Sequence, residues 1–145
     1  MHKDFYASGF IYHPKTQQIL LQQQNNDETG TGWSLFEGES LNEETANETF
    51  KRIILLHLKI ELKPKNIFPI YSYVHATKNK NNFIHYAIVK KLEKFPENNN
   101  TLFSWFSFKQ IQKLHIPNQI KQDIIVGQRV IDSAVRKSLG QQTIE

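Results

Sequence analysis

The run from Gly38 to Ile60 constrains this chain more than any other stretch of its 145 residues. Thr45 followed by Glu48 is a capping box, in which the hydroxyl and the carboxylate each satisfy a backbone N–H left orphaned by the first helical turn. The helix so opened runs to about Leu58. Glu44, Glu48 and Arg52 form an i, i+4, i+8 stripe. Ile53, Leu56 and His57 stand three and four residues apart, a spacing that projects side chains from one face of a helix. Gly38, Glu44, Arg52, Ile54 and Ile60 thus hold fixed offsets around one helix and the loop that feeds it.

The rest of the chain reads as strands and helices around that element. Phe5 to Tyr12 is a strand, His13 to Gln17 a turn, and Gln18 to Gln23 a second strand paired with the first. Asn25 to Gly32 is a loop leading into Trp33. Ile60 to Leu62 is expected to start a short strand that Pro64 stops. Ile67 to Ala76 and Phe83 to Lys90 are expected as strands joined through the polar turn Lys78 to Asn82, with a loop at Pro96 to Asn100. Trp105 to Phe108 is an extended piece before a small helix, Lys109 to Leu114. Pro117 opens a closing amphipathic helix, with Ile120, Ile124, Ile131 and Val135 inward and Lys121, Arg129 and Arg136 outward. Residues 1–140 are expected to form one domain, with 141–145 a flexible tail.

These residues and their order resemble the Nudix hydrolases, whose signature box is written G-x5-E-x7-R-E-U-x-E-E-x-G-U, with U aliphatic. Gly38, Glu44, Arg52, Ile54 and Ile60 fall in register without a gap. The three glutamates after the arginine are replaced by Ile53, Leu56 and His57, and Lys59 stands in place of the glycine. The resemblance covers nearly the whole chain and implies an α/β (α+β) fold, a Nudix-type α/β/α sandwich with a mixed β-sheet. It also implies hydrolysis of a nucleoside diphosphate linked to another moiety, supported by Mg²⁺ or Mn²⁺.

Composition sets outer bounds. Without cysteine, disulfides, thiolate metal sites and cysteine nucleophiles are excluded. The N-terminus lacks the apolar core of a signal peptide and no apolar run has membrane-spanning length, so a cytoplasmic protein without membrane partners is expected. Residues 1–62 carry 5 Lys/Arg against 9 Asp/Glu, and residues 63–145 carry 13 against 5. An acidic first half attracts divalent cations, and a basic second half attracts phosphates. Nucleic acid is an unfavoured partner, because the basic residues, Lys78 and Lys80 among them, lack interleaved aromatics. Homodimerisation is frequent in the family, and the oligomeric state stays open.

Hard cations take oxygen ligands, which isoleucine and leucine cannot supply. Losing even a partner outside the coordination sphere weakens a metal site by about 10–100-fold. The remaining candidates are Glu44, Glu48 and His57 as metal ligands, and Glu44, His57 and Arg52 as catalytic groups. Each has a structural counterpart: Glu48 as the capping glutamate paired with Arg52, His57 as a hydrogen-bonded, partly buried imidazole. Glu37, Glu39, Glu43 and Glu97 are weaker replacement ligands, and His75 facing His85 a weaker metal pair. Gly38 without a Cβ admits close approach of a phosphate. Tyr73 and Tyr86, with Phe5, Tyr6 and Tyr12, offer rings to a nucleobase, against the competing account of core packing.

Three functions follow. The leading one is a protein that binds a nucleotide or nucleoside-diphosphate derivative with little or no hydrolysis. The second is a divergent metal-dependent diphosphate hydrolase using Glu44, Glu48 and His57. The third is a protein or nucleic-acid interaction module.

Overall fold

Alternation along the first strand sets the architecture. The computed structural model describes residues 4–24, 32–98 and 100–143. Along them run β1 (Tyr6–His13), β2 (Gln18–Gln24), β3 (Trp33–Ser34), β4 (Phe36–Glu39), α1 (Ala46–Leu58), β5 (Ile67–Val74), β6 (Asn81–Ile88), β7 (Thr101–Ser107), α2 (Phe108–Ile111) and α3 (Asn118–Thr143). From Ala7 to His13 every β1 residue is buried, as expected of a strand covered on both faces. Ala7 and Ile11 pack with Phe50, Ile53, Ile54 and Leu58 of α1. Phe10 and Tyr12 point the other way and share a second core with Ile111 of α2 and Ile124 and Ile131 of α3. Helices therefore cover both sides of the sheet.

The sheet is mixed. β1 pairs antiparallel with β2 and β4 and parallel with β6. β3 and β7 pair with β2, and β5 with β6, giving seven strands in all. The chain changes partner at Leu35, from β2 on one side to β1 on the other. No helix among the described residues is long and apolar enough to cross a membrane.

The capping box forms as expected. The Thr45 N–H donates to Glu48 Oε1 at 2.8 Å, and the Glu48 N–H donates to Thr45 Oγ1 at 3.2 Å. Lys59 ends α1 in the left-handed conformation, with φ 61°, and its N–H donates to the Leu55 carbonyl. This backbone explains why a glycine suits that place.

Several expectations need correction. β4 was not expected, because Glu37, Gly38 and Glu39 carry no strand-forming residue type. β7 starts at Thr101 rather than Trp105. Ile60 to Leu62 forms no strand, and a 3₁₀ turn at Pro64–Asn66 leads directly into β5. Val135 is 52% exposed rather than inward, since α3 runs on past the sheet beyond Ile131. α3 is described as far as Thr143, and residues 144–145 lie outside the described residues. So does most of the expected loop, 25–31.

Candidate functional site

Around Glu44 four hydrogen bonds are made locally, three to one oxygen and one to the other. Its Oε1 accepts from the Leu41 N–H at 2.8 Å, the Thr49 hydroxyl at 2.9 Å and Arg52 Nη2 at 3.1 Å. Oε2 accepts from Arg52 Nε at 2.8 Å. Arg52 Nη2 also donates to the Glu39 carbonyl at 2.7 Å. The Arg52 hydrogen bond leads the effects that lower the Glu44 pKa, with Leu41 and Thr49 behind it, and together they outweigh desolvation and hold it at about 2. This carboxylate and guanidinium tie the loop after β4 to α1. Glu48 is committed to the helix cap.

The positions after Arg52 diverge. At about 100° per residue, position 57 lies about 40° from 53 on a helix and position 56 about 60° to the other side. Ile53 is accordingly 2% exposed and faces the core, Leu56 to one side is 59% exposed, and His57 to the other is half-buried. Gly38 serves this packing: a Cβ there would lie 2.8 Å from Ile53 Cδ1. Of the two aliphatic residues at these positions, only Ile53 adds to the core. Burial, then Lys59, lowers the His57 pKa and favours the neutral imidazole.

Mg²⁺ or Mn²⁺ held by this helix would need clustered free oxygens. Ile53 and Leu56 offer none, and Glu44 and Glu48 are engaged elsewhere. No group of three His, Asp or Glu is placed to hold a metal among the described residues. The donor set does not fit a hard cation.

A cavity of about 560 Å³ opens beside this region. Ser8, Glu37, Tyr73 and Asn82 line it from the sheet, Gln119, Ile120 and Asp123 from α3, and Gln22, Ser34 and Leu35 from the strand-switch point. His57 and His75 complete it. Asp123 is its most buried acid, at 2% exposure. It accepts from the Tyr71 hydroxyl at 2.6 Å, the Tyr73 hydroxyl at 2.9 Å and Gln119 Nε2 at 3.0 Å. Burial raises its pKa, against those hydrogen bonds. Both tyrosines are raised as well, first by desolvation and then by Asp123. Asn82 accepts from the Ser8 hydroxyl at 2.9 Å.

Of the expected substrate contacts, Tyr73 and His57 meet in this cavity. Tyr86 does not line it: at 4% exposure it stacks between Phe68 and Phe10 in the core on the α3 side. Tyr12 is buried in that core, and Phe5 packs edge-on against Phe83. His85 sits opposite Pro69 and stacks on Phe50, so it does not face His75. Lys78 lies 4.3 Å over the Tyr6 ring and 3.7 Å from Glu37. Lys80 pairs with Glu39 and Asp4, which neutralises the basic hairpin tip. Glu97 lines a separate cleft of about 400 Å³ with His57, Glu93 and Asn98. Gln22, Asn82, Gln119 and Asp123 were not foreseen. The one signal available was Asp123, an acid on the inward stripe of Ile120, Ile124 and Ile131.

No protein-family model and no curated protein matches this sequence. Solved structures do match it. A MutT/nudix family protein from Enterococcus faecalis superposes with a TM-score of 0.68 at 14% identity, over 91% of this chain. This chain spans 63% of that structure's length. The NUDIX domain of Shewanella oneidensis NrtR, solved with ADP ribose, gives 0.69 at 13% identity over 90% of each chain. A NUDIX-family hydrolase from Clostridium perfringens gives 0.65 at 14% identity, over 88% of this chain and 96% of its own. The chain has a Nudix fold. At these identities the likeness reaches the fold and stops short of substrate or activity. Within the Nudix fold, the region matching the signature box contains a helix cap, the buried Ile53 and the Glu44–Arg52 ion pair.

Proposed function

We propose that this Nudix-fold protein binds a nucleotide or nucleoside-diphosphate derivative in the cavity between the sheet and α3, with little or no hydrolysis. The observation that carries the reading is the contrast in hydrogen bonding. The cavity presents to a guest Glu37 and a Gln22 Oε1 that has no partner among the described residues, whereas Glu44 directs four hydrogen bonds into the fold. A cleft of a few hundred Å³ with a few convergent polar groups suits a small organic ligand. That the Shewanella domain was solved with ADP ribose supports a nucleotide derivative as the class to try. The test is calorimetric titration with ADP-ribose, ADP and GDP, each with EDTA and with Mg²⁺. Saturable binding that survives EDTA supports the reading, and no binding by any of them defeats it.

One observation favours a second reading, a divergent hydrolase. His57 borders both the cavity and the cleft that holds Glu97, and its lowered pKa leaves the imidazole in the form a general base needs. Turnover lost on His57→Ala would favour it over simple binding.

A further inference from the structure

We infer that Gln22 is a specificity residue of this cavity and selects a nucleobase bearing an exocyclic amino group. The inference rests on the nucleotide-binding reading and goes further into it. Gln22 is 9% exposed, and its Nε2 donates to the Leu35 carbonyl at 3.0 Å. That bond fixes the amide orientation, since a flipped amide would turn Oε1 against a carbonyl oxygen. Oε1 is then a buried acceptor with no donor among the described residues. Buried polar atoms are nearly always paired, and Gln22 lines the cavity with its Oε1 buried in the wall, so a donor from what enters pairs this orphan acceptor after a small side-chain shift.

The surroundings say which end of a ligand enters. Asp123 lines the same cavity, and the groups bonded to it are two tyrosines and a glutamine rather than a cation. Glu37 is also in the lining, and among the described residues no lysine or arginine is. Lys78 reaches Glu37 at 3.7 Å without being a lining residue. A phosphate placed inside would face carboxylates in a poorly solvated space. An amino group brings N–H donors and no negative charge. The base therefore enters, and the phosphates stay towards the mouth.

The test compares pairs of nucleoside diphosphates that differ by one amino group: GDP with IDP, and ADP with purine riboside diphosphate. On the wild-type protein the amino form of at least one pair should bind about tenfold more tightly than its partner, the worth of one hydrogen bond to an otherwise unpaired acceptor. In Gln22→Leu or Gln22→Met, which keep bulk and remove the acceptor, that gap should close. Equal binding within both pairs overturns the inference and leaves nucleotide binding intact. A gap that persists in a folded variant overturns the role of Gln22. Absence of binding by all four and by ADP-ribose defeats the nucleotide reading and this inference with it. The wild-type comparison needs no variant, so it stands even where a substitution prevents folding.

Discussion

The Glu44–Arg52 pair and the cavity around Gln22 and Asp123 are neighbouring polar regions built on opposite principles. In the first, one carboxylate accepts four hydrogen bonds from its own loop and helix. In the second, Gln22 Oε1 has no partner among the described residues, and the buried Asp123 is held by two tyrosines and a glutamine. Satisfied groups hold a fold together, and unsatisfied ones in a cavity await a ligand.

The sharpest way to break this contrast is to restore glutamates. Ile53→Glu would place a carboxylate where the side chain is 2% exposed, and should cost about 4 kcal/mol or more in urea denaturation. Leu56→Glu, at a position 59% exposed, should stay within about 0.5 kcal/mol. Equal costs would contradict the orientation of α1. Next comes Arg52→Ala, which removes three hydrogen bonds, two of them to Glu44. With a third of its side chain exposed, screening limits the loss to about 2 kcal/mol. Ligand affinity should not change.

Lys59→Gly sharpens the comparison from the other side. It relieves a left-handed non-glycine residue and should stabilise by about 1 kcal/mol. Removing that ammonium should also raise the His57 pKa, read from imidazole NMR shifts. A fall would contradict the assigned cause. A separate effect lies in the acid limb of the stability profile. Glu44 has a folded pKa of about 2 against an ordinary 4.5, so its stabilisation is complete above pH 4.5 and is lost as pH falls towards 2. Glu44→Gln should flatten that limb of the stability profile. Asp123 has the opposite sign: its raised pKa costs stability as pH rises past the ordinary carboxylate range.

Local chemistry was readable from the sequence. The Thr45–Glu48 cap and the first hairpin rest on neighbouring residues and form as read. The box spacing pointed to the Nudix fold, and the matching structures have it. Burial was harder to read, because Ile53 and Leu56 are both aliphatic and only the placement of α1 against β4 separates them. The cavity was hardest. Ser8, Gln22, Asn82 and Asp123 come from four elements and meet only through the strand order, which no periodicity reports.

The most direct test is turnover of ADP-ribose, dinucleoside polyphosphates and deoxynucleoside triphosphates with Mg²⁺ and Mn²⁺, on protein whose nucleotide binding is measured in the same preparation. His57→Ala protein, purified identically, is the control. The account predicts saturable binding with no turnover above that control. Turnover by the wild type that vanishes in His57→Ala would contradict it and establish a rebuilt active site.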